Sequence, residues 1–266
     1  MASERKVALV TGGSSGIGLG AVRALKKAGC AVYVFSRRPF EEPGVTHIPC
    51  DVTDEAAVTA AVDRVKALAG RVDILVNCAG FGISGAVEFT DAADARRQME
   101  VNFFGAVNLT KAVLPLMRRQ GGGRVVNVSS VAAPAAIPFQ AFYSASKAAL
   151  NAYTAALANE VRPFGVTVTA VQPGDIATGF TAAREKSAAG DEVYGGRISR
   201  SVAKMERDEQ QGGDPDKAGA YLAKIALKKR VKPLYTIGFS YKLICFLLKV
   251  LPCGLVNRLI GILYAK

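Results

Sequence analysis

The sequence predicts a single α/β domain built on a doubly wound parallel sheet, and three observations carry that expectation. Seven strand-like stretches alternate with helix-like ones, and several of the strands are continuous apolar runs suited to a sheet covered on both faces. A glycine-rich turn joins the first strand to the first helix. A chain of 266 residues, half of them hydrophobic, can bury the core such a fold needs. No internal repeat or low-complexity linker divides it.

The first strand, Val7 to Val10, leads into Thr11-Gly12-Gly13-Ser14-Ser15-Gly16-Ile17-Gly18 and then a helix-like stretch, Leu19 to Ala28. Strand, glycine-rich turn and helix is the order in which backbone approaches a pyrophosphate at a helix N-terminus. Glycines 12, 16 and 18 supply the turn, the close approach and the helix packing, at a T-G-x-x-x-G-x-G spacing rather than G-x-G-x-x-G. The second strand, Ala31 to Phe35, is followed by Ser36, Arg37 and Arg38. An acidic residue there would meet a ribose 2′-hydroxyl, whereas arginine pairs with a 2′-phosphate. The expected cofactor is therefore NADP(H) rather than NAD(H), with Arg37 as its principal contact and Ser36 as a hydroxyl donor.

The third strand, Ile48 to Cys50, precedes Asp51 and Val52. A helix from Glu55 to Ala69, a strand from Ile74 to Asn77, a helix from Asp94 to Leu116 and a strand from Arg124 to Ser129 follow. The next helix, Phe142 to Glu160, carries Tyr143 and Lys147 four residues apart, so one turn puts a phenol and an ammonium on the same face. A fixed cation stabilises a phenolate, which makes a group with pKa near 10 usable as an acid and base. The sixth strand, Val166 to Val171, opens onto Pro173-Gly174, and Leu234 to Ile237 is the last. The polar interval Thr181 to Asp216, with Gly190, Gly195, Gly196, Gly212 and Gly213, reads as mobile.

These segments together resemble the short-chain dehydrogenase/reductase family, from about Lys6 to Thr178. The resemblance rests on TGGSSGIG, Asp51 in PCDVTD, Asn77-Cys78-Ala79-Gly80, Asn102, Ser129-Ser130, Tyr143 with Lys147, and Pro173-Gly174 with Thr178. It implies a Rossmann-like sheet and hydride transfer between a nicotinamide and a carbonyl or carbinol carbon. Tyr143 is then the proton donor, Ser130 orients the substrate oxygen, and Lys147 lowers the Tyr143 pKa and holds the ribose. Asn102 resembles the asparagine that fixes a water beside Lys147. Gly12, Ser14, Ser15, Gly16, Ile17, Gly18, Asp51, Val52, Asn77, Ala79, Gly80, Pro173, Gly174, Ile176 and Thr178 would line the cofactor. Asp51 would meet the adenine and Thr178 the carboxamide. The family's usual NNAG motif has Cys78 in its second place here, a change expected to leave a backbone-shaped contact intact.

Composition narrows the partners. Five scattered cysteines without metal-ligand spacing and one histidine, His47, argue against a metal site. The start, MASERKVALV, lacks a long apolar signal segment, so a cytoplasmic protein is expected. The net charge of +12 is dispersed except at Lys228-Lys229-Arg230 with Lys232, which counts against nucleic acid. That cluster reads as solvated surface or as a contact for anionic lipid head groups.

Two segments bear on the substrate. Ala132 to Phe142 is an apolar loop between Ser130 and Tyr143, either a wall of the substrate site or part of the core. Residues 1–238 form the catalytic domain, with a lid at about 178–216, and residues 239–266 an apolar extension. The extension suits a lid, a subunit contact or a membrane interface, and it is too interrupted to span a bilayer. Such tails resemble those of family members acting on steroids, retinoids and other lipids. The expected substrate is a hydrophobic secondary alcohol or ketone, with a hydroxysteroid first and an acyl-chain or acyl-dihydroxyacetone-phosphate ketone as the alternative. A non-catalytic nucleotide-sensing or membrane-associated protein is the reading from another class. The resemblance also implies a homodimer or homotetramer.

Overall fold

A computed structural model describes residues 5–265 of the chain. The first half comprises β1 (Val7–Thr11), α1 (Gly16–Lys27), β2 (Ala31–Ser36), β3 (Val45–Pro49), α2 (Glu55–Ala69) and β4 (Ile74–Asn77). A two-residue strand β5 (Ile83–Ser84) precedes α3 (Ala92–Met99), a π-helical segment (Glu100–Phe104) and α4 (Gly105–Arg119). Then come β6 (Gly123–Val128), α5 (Ala132–Ala135), α6 (Ala141–Glu160), β7 (Val166–Gln172), α7 (Phe180–Ala183) and β8 (Glu185–Lys186). The chain closes with α8 (Arg197–Gln210), α9 (Pro215–Leu227), β9 (Leu234–Thr236), α10 (Phe239–Val250) and α11 (Cys253–Tyr264).

Seven strands make one parallel sheet in the order β3-β2-β1-β4-β6-β7-β9, and β5 pairs separately with β8. Strand order reverses between β1 and β4, the crevice where open α/β sheets take their ligands. Successive residues of β1 serve opposite cores. Leu9, with Phe35, Leu75 and Val125, packs against Val58, Val62 and Val65 of α2 and Leu109, Val113 and Met117 of α4. Ala8 and Val10, with Val34, Val76 and Val126, pack against Val22 and Leu25 of α1 and Leu222 and Ile225 of α9. Because both faces are covered, β1 is buried at all five positions, which is why it reads as an apolar run. Asp54 caps α2 and Asp214 caps α9, each accepting from backbone N–H groups of the first turn.

The structure corrects three details and places one more. The third strand begins at Val45 rather than Ile48, because at the sheet edge Val-Thr-His-Ile-Pro is mostly half-exposed and forms no apolar run. The helix expected from Asp94 to Leu116 is broken by the π-helical segment, which rotates Asn102 inward. The polar interval holds α7, β8 and the 14-residue α8, because an exposed helix needs only the one apolar stripe formed by Ile198, Val202 and Met205. The Lys228–Lys232 cluster lies at the amino edge of the sheet, where Arg124 near the start of β6 donates to the Lys228 carbonyl at 2.8 Å. β9 separates that cluster from α10.

Candidate active site

The carboxyl end of β1 turns through Gly12 (φ 62°) and Gly16 (φ 53°) into α1. A Cβ on Gly12 would lie 2.8 Å from the Ala79 nitrogen, and one on Gly18 would lie 2.2 Å from the Gly12 oxygen. Only glycine fits these two positions. Ser15 is the N-cap of α1 and makes no side-chain cap bond, so its hydroxyl, neighbouring Ser14 and the first-turn N–H groups remain for a ligand. Ile17 continues from this turn into the core beside α1. The buried Thr11 hydroxyl accepts from the N–H groups of Cys78 and Ala79 at 3.1 and 3.2 Å. Cys78 therefore keeps the backbone course through its own N–H. Burial raises its thiol to about 11, against the nearby Lys147 charge, so the group is a protonated thiol at neutral pH. Asn77 turns its side chain into the core and donates to Asn127 at 2.8 Å.

Asp51 accepts from the N–H and hydroxyl of Thr53 at 2.9 and 2.8 Å. Burial pushes this carboxyl up, but the Thr53 bonds and the Arg37 charge outweigh it and hold its pKa below the ordinary value. Beside it, Val52 is buried against Gly105. Arg37 is exposed just beyond β2, whereas the Ser36 hydroxyl donates to the Arg38 carbonyl at 3.0 Å and lies 3.0 Å from the His47 ring. His47 thus faces the same corner through β3, a neighbour that strand pairing reveals and motif spacing does not. The glycine cradle, the open helix N-terminus and the exposed arginine fit a dinucleotide.

Four groups converge beyond this cradle. Ser130 follows β6; its hydroxyl accepts from the Ala132 N–H at 3.1 Å and acts on the Tyr143 phenol of α6, which it holds toward lower pKa. Lys147, one turn later, is 5% exposed and donates to the Val128 carbonyl at 2.9 Å, with its ammonium 5.8 Å from the Tyr143 ring centre. Asn102 accepts from the Phe81 N–H at 2.9 Å and donates to the Phe81 carbonyl and to Ser146 at 3.0 and 3.1 Å. A Cβ on Gly80 would meet the Asn102 oxygen at 3.1 Å and the Lys147 ammonium at 3.5 Å, so glycine keeps these two groups adjacent. π-Helical insertions of this kind recur at functional sites.

Burial dominates the electrostatics. It pushes the Tyr143 phenol up to about 12, opposed by the Ser130 hydrogen bond and the Arg184 charge. It lowers the Lys147 ammonium to about 8. Lys147 was expected to lower the Tyr143 pKa; in this dry site desolvation of the phenolate is the larger effect, and the phenol stays protonated.

The segment after β7 closes the site. Ala177, between Ile176 and Thr178, donates to Gly213 at 2.9 Å, and Gly213 donates to the Asp175 carbonyl at 2.9 Å. Pro173 accepts from Val131 at 3.0 Å, and Gly174 lies flat under the Tyr241 ring. Thr178 sits 3.3 Å from the Cβ position of Gly16, which brings the two ends of the cradle together. Residues the sequence did not single out complete the surroundings. The Phe180 ring is 5.7 Å from that of Tyr143. Arg184, 4% exposed, pairs with Glu209, which also accepts from Thr181 at 2.7 Å. The Nε and Nη1 of Arg184 have no hydrogen-bond partner among the described residues. Asp175 accepts from the Tyr241 hydroxyl at 2.5 Å, and burial raises its pKa despite that bond. The apolar loop after Ser130 forms α5, and Phe139 then packs with Ile198, Val202 and Met205 of α8.

The family model described as short chain dehydrogenase matches residues 6–189. A 3-ketodihydrosphingosine reductase of Bacteroides thetaiotaomicron is 42% identical over 246 residues, covering 89% of this chain and 91% of that protein. A probable short-chain type dehydrogenase/reductase, VdlC, of Helicobacter pylori is 30% identical, covering 95% of this chain and 96% of its own. Among solved structures, a short-chain dehydrogenase from Streptomyces avermitilis superposes with a TM-score of 0.81 at 32% identity, covering 99% of this chain and 96% of that one.

Proposed function

This chain belongs to the short-chain dehydrogenase family, an oxidoreductase acting on an alcohol or ketone, and we propose that it reduces a long-chain ketone with a polar head, using NADPH. The observation that carries the ketone chemistry is the Ser130–Tyr143–Lys147 constellation at the carboxyl edge of the sheet. NADPH supplies the hydride that adds to the carbonyl carbon. As charge develops on the oxygen, Tyr143 donates its proton, and an alcohol results. Ser130 donates a second hydrogen bond to the same oxygen. Lys147 fixes the Tyr143 edge of the site and offers its remaining N–H groups to the ribose. Arg37 supports the NADPH choice, since a guanidinium on this corner suits a 2′-phosphate.

The head-group assignment rests on the charges around the phenol. Arg184, Glu209 and Asp175 all act electrostatically on Tyr143. A steroid, apolar on both sides of its ketone, would leave the two free Arg184 N–H groups buried without a partner, at about 1–3 kcal/mol each. A ketone flanked by hydroxyl and amino groups offers an acceptor to Arg184 and a cation to the carboxylates. The 42% identical relative named for 3-ketodihydrosphingosine supports the same substrate class over the hydroxysteroid. The test is NADPH and NADH oxidation by the purified chain against a long-chain 2-amino-1-hydroxy-3-ketone, a 3-ketoacyl ester and a panel of steroid ketones. Turnover of the amino ketone well above the steroids is expected, and preference for a steroid ketone overturns the head-group assignment.

A further inference from the structure

α10 packs against α5 and β9 and α11 against α8, and each keeps an apolar stripe on its outer side. Phe239, Leu243, Phe246 and Val250 fall at i, i+4, i+7 and i+11 on α10, a single stripe, and they are 85, 52, 60 and 57% exposed. Leu255, Leu259 and Ile262 repeat the stripe on α11 and are exposed as well. The inward face is occupied by Tyr241, Cys245 and Ile260, so the exposed stripes are not a core left open at its edge. Isolated exposed apolar residues are ordinary, but four in one stripe of α10, followed by three in one stripe of α11, need an occupant.

Charge identifies that occupant. Within α10 and α11 Lys242, Lys249 and Arg258 are exposed and no acidic side chain accompanies them. The two lysines, seven residues apart, line one border of the α10 stripe. Apolar side chains bordered by cations, on helices too short and too interrupted to cross a bilayer, are the signature of a helix lying in a lipid interface. We propose that α10, with α11 after it, docks this protein on the surface of an anionic bilayer, with the Phe239–Leu243–Phe246–Val250 stripe among the acyl chains.

Both helices are tied to the body of the domain by the faces opposite their stripes. Tyr241 lies on Gly174 and bonds to Asp175, while Tyr264 packs into the α8 cluster beside Lys204 and Arg197 donates to the Ala265 carbonyl at 2.5 Å. The stripes themselves are left to the outside. The docking itself stands on this surface and not on the ketone assignment.

The test is sedimentation of the full chain with phosphatidylcholine vesicles made with and without phosphatidylglycerol, alongside Phe246→Ser/Val250→Ser and Lys242→Glu/Lys249→Glu. The native chain is expected to sediment with the anionic vesicles, and each double variant to lose roughly tenfold or more of that binding. Reduction of a small water-soluble ketone should be unchanged in both variants, which shows that they fold. Absence of binding at either composition overturns the proposal. So does a fall in solution size on Phe246→Ser/Val250→Ser, since a second copy of the chain would then cover the face.

Discussion

Tyr143 keeps its proton and Lys147 is close to losing one, and the pH dependence of the site follows from that asymmetry. Tyr143 remains protonated up to about 12, so the phenol proposed as proton donor keeps its proton across the working range. Lys147 carries its charge below about 8 and loses it as pH rises through that value. Ketone reduction is expected to be level on the acid side and to decline as pH rises through about 8, read from the kcat profile. The same shift bears on stability. A lysine whose folded pKa is depressed contributes stability above its ordinary pKa that is lost as pH falls through about 8, so at neutral pH its buried charge weighs against the fold. Lys147→Met should therefore abolish turnover while holding or raising the melting temperature, and a marked fall in melting temperature would contradict this. Arg37→Asp should move the NADPH to NADH preference by roughly tenfold or more, measured as the ratio of kcat/KM values. The i, i+4 placement of Tyr143 and Lys147 was legible because it depends on one helix alone. Phe180, Arg184 and Glu209 were not, because they reach the phenol only after α7 and α8 have folded over the sheet edge.

Among the elements, α1 and α9 set the tightest constraint. A Cβ on Gly219 would lie 2.3 Å from the Ala21 nitrogen, and one on Gly20 would lie 2.7 Å from the Pro215 carbonyl. The two helices thus meet backbone to backbone, with α1 anchored directly behind the phosphate cradle. Gly219→Val should cost about 1–3 kcal/mol of stability by forcing them apart. Cofactor affinity, followed by fluorescence titration, should fall with it as Gly16 and Gly18 move. An unchanged melting temperature would show that the helices separate freely. α2 was legible to the residue, from Glu55 to Ala69, and the structure shows Asp54 and Gly70 capping its two ends. The π-helical segment was not, since Glu-Val-Asn-Phe-Phe has no breaker and the extra residue is stabilised by Asn102 bonding to Phe81 and Ser146 across the site.

At the scale of the molecule, the parallel sheet and its two covered faces follow from apolar runs that the sequence displays openly, whereas the strand order is given by the structure. The position of the tail does not, because α10 is placed by contacts distant in sequence, Tyr241 on Gly174 and Asp175 and the buried Cys245 among them. The fold thus brings together a dinucleotide cradle at the β1–β4 crevice and a candidate ketone site at Tyr143, with the apolar tail helices packed on the same domain. The most direct test of the central claim follows a label rather than absorbance: NADPH deuterated at C4, a long-chain 2-amino-1-hydroxy-3-ketone, and mass analysis of the product alcohol. Deuterium at C3 of the product is predicted for the native chain, with none for Tyr143→Phe even though that variant still binds NADPH. Label transfer by Tyr143→Phe at the native rate, or none by the native chain with any ketone, would contradict the account.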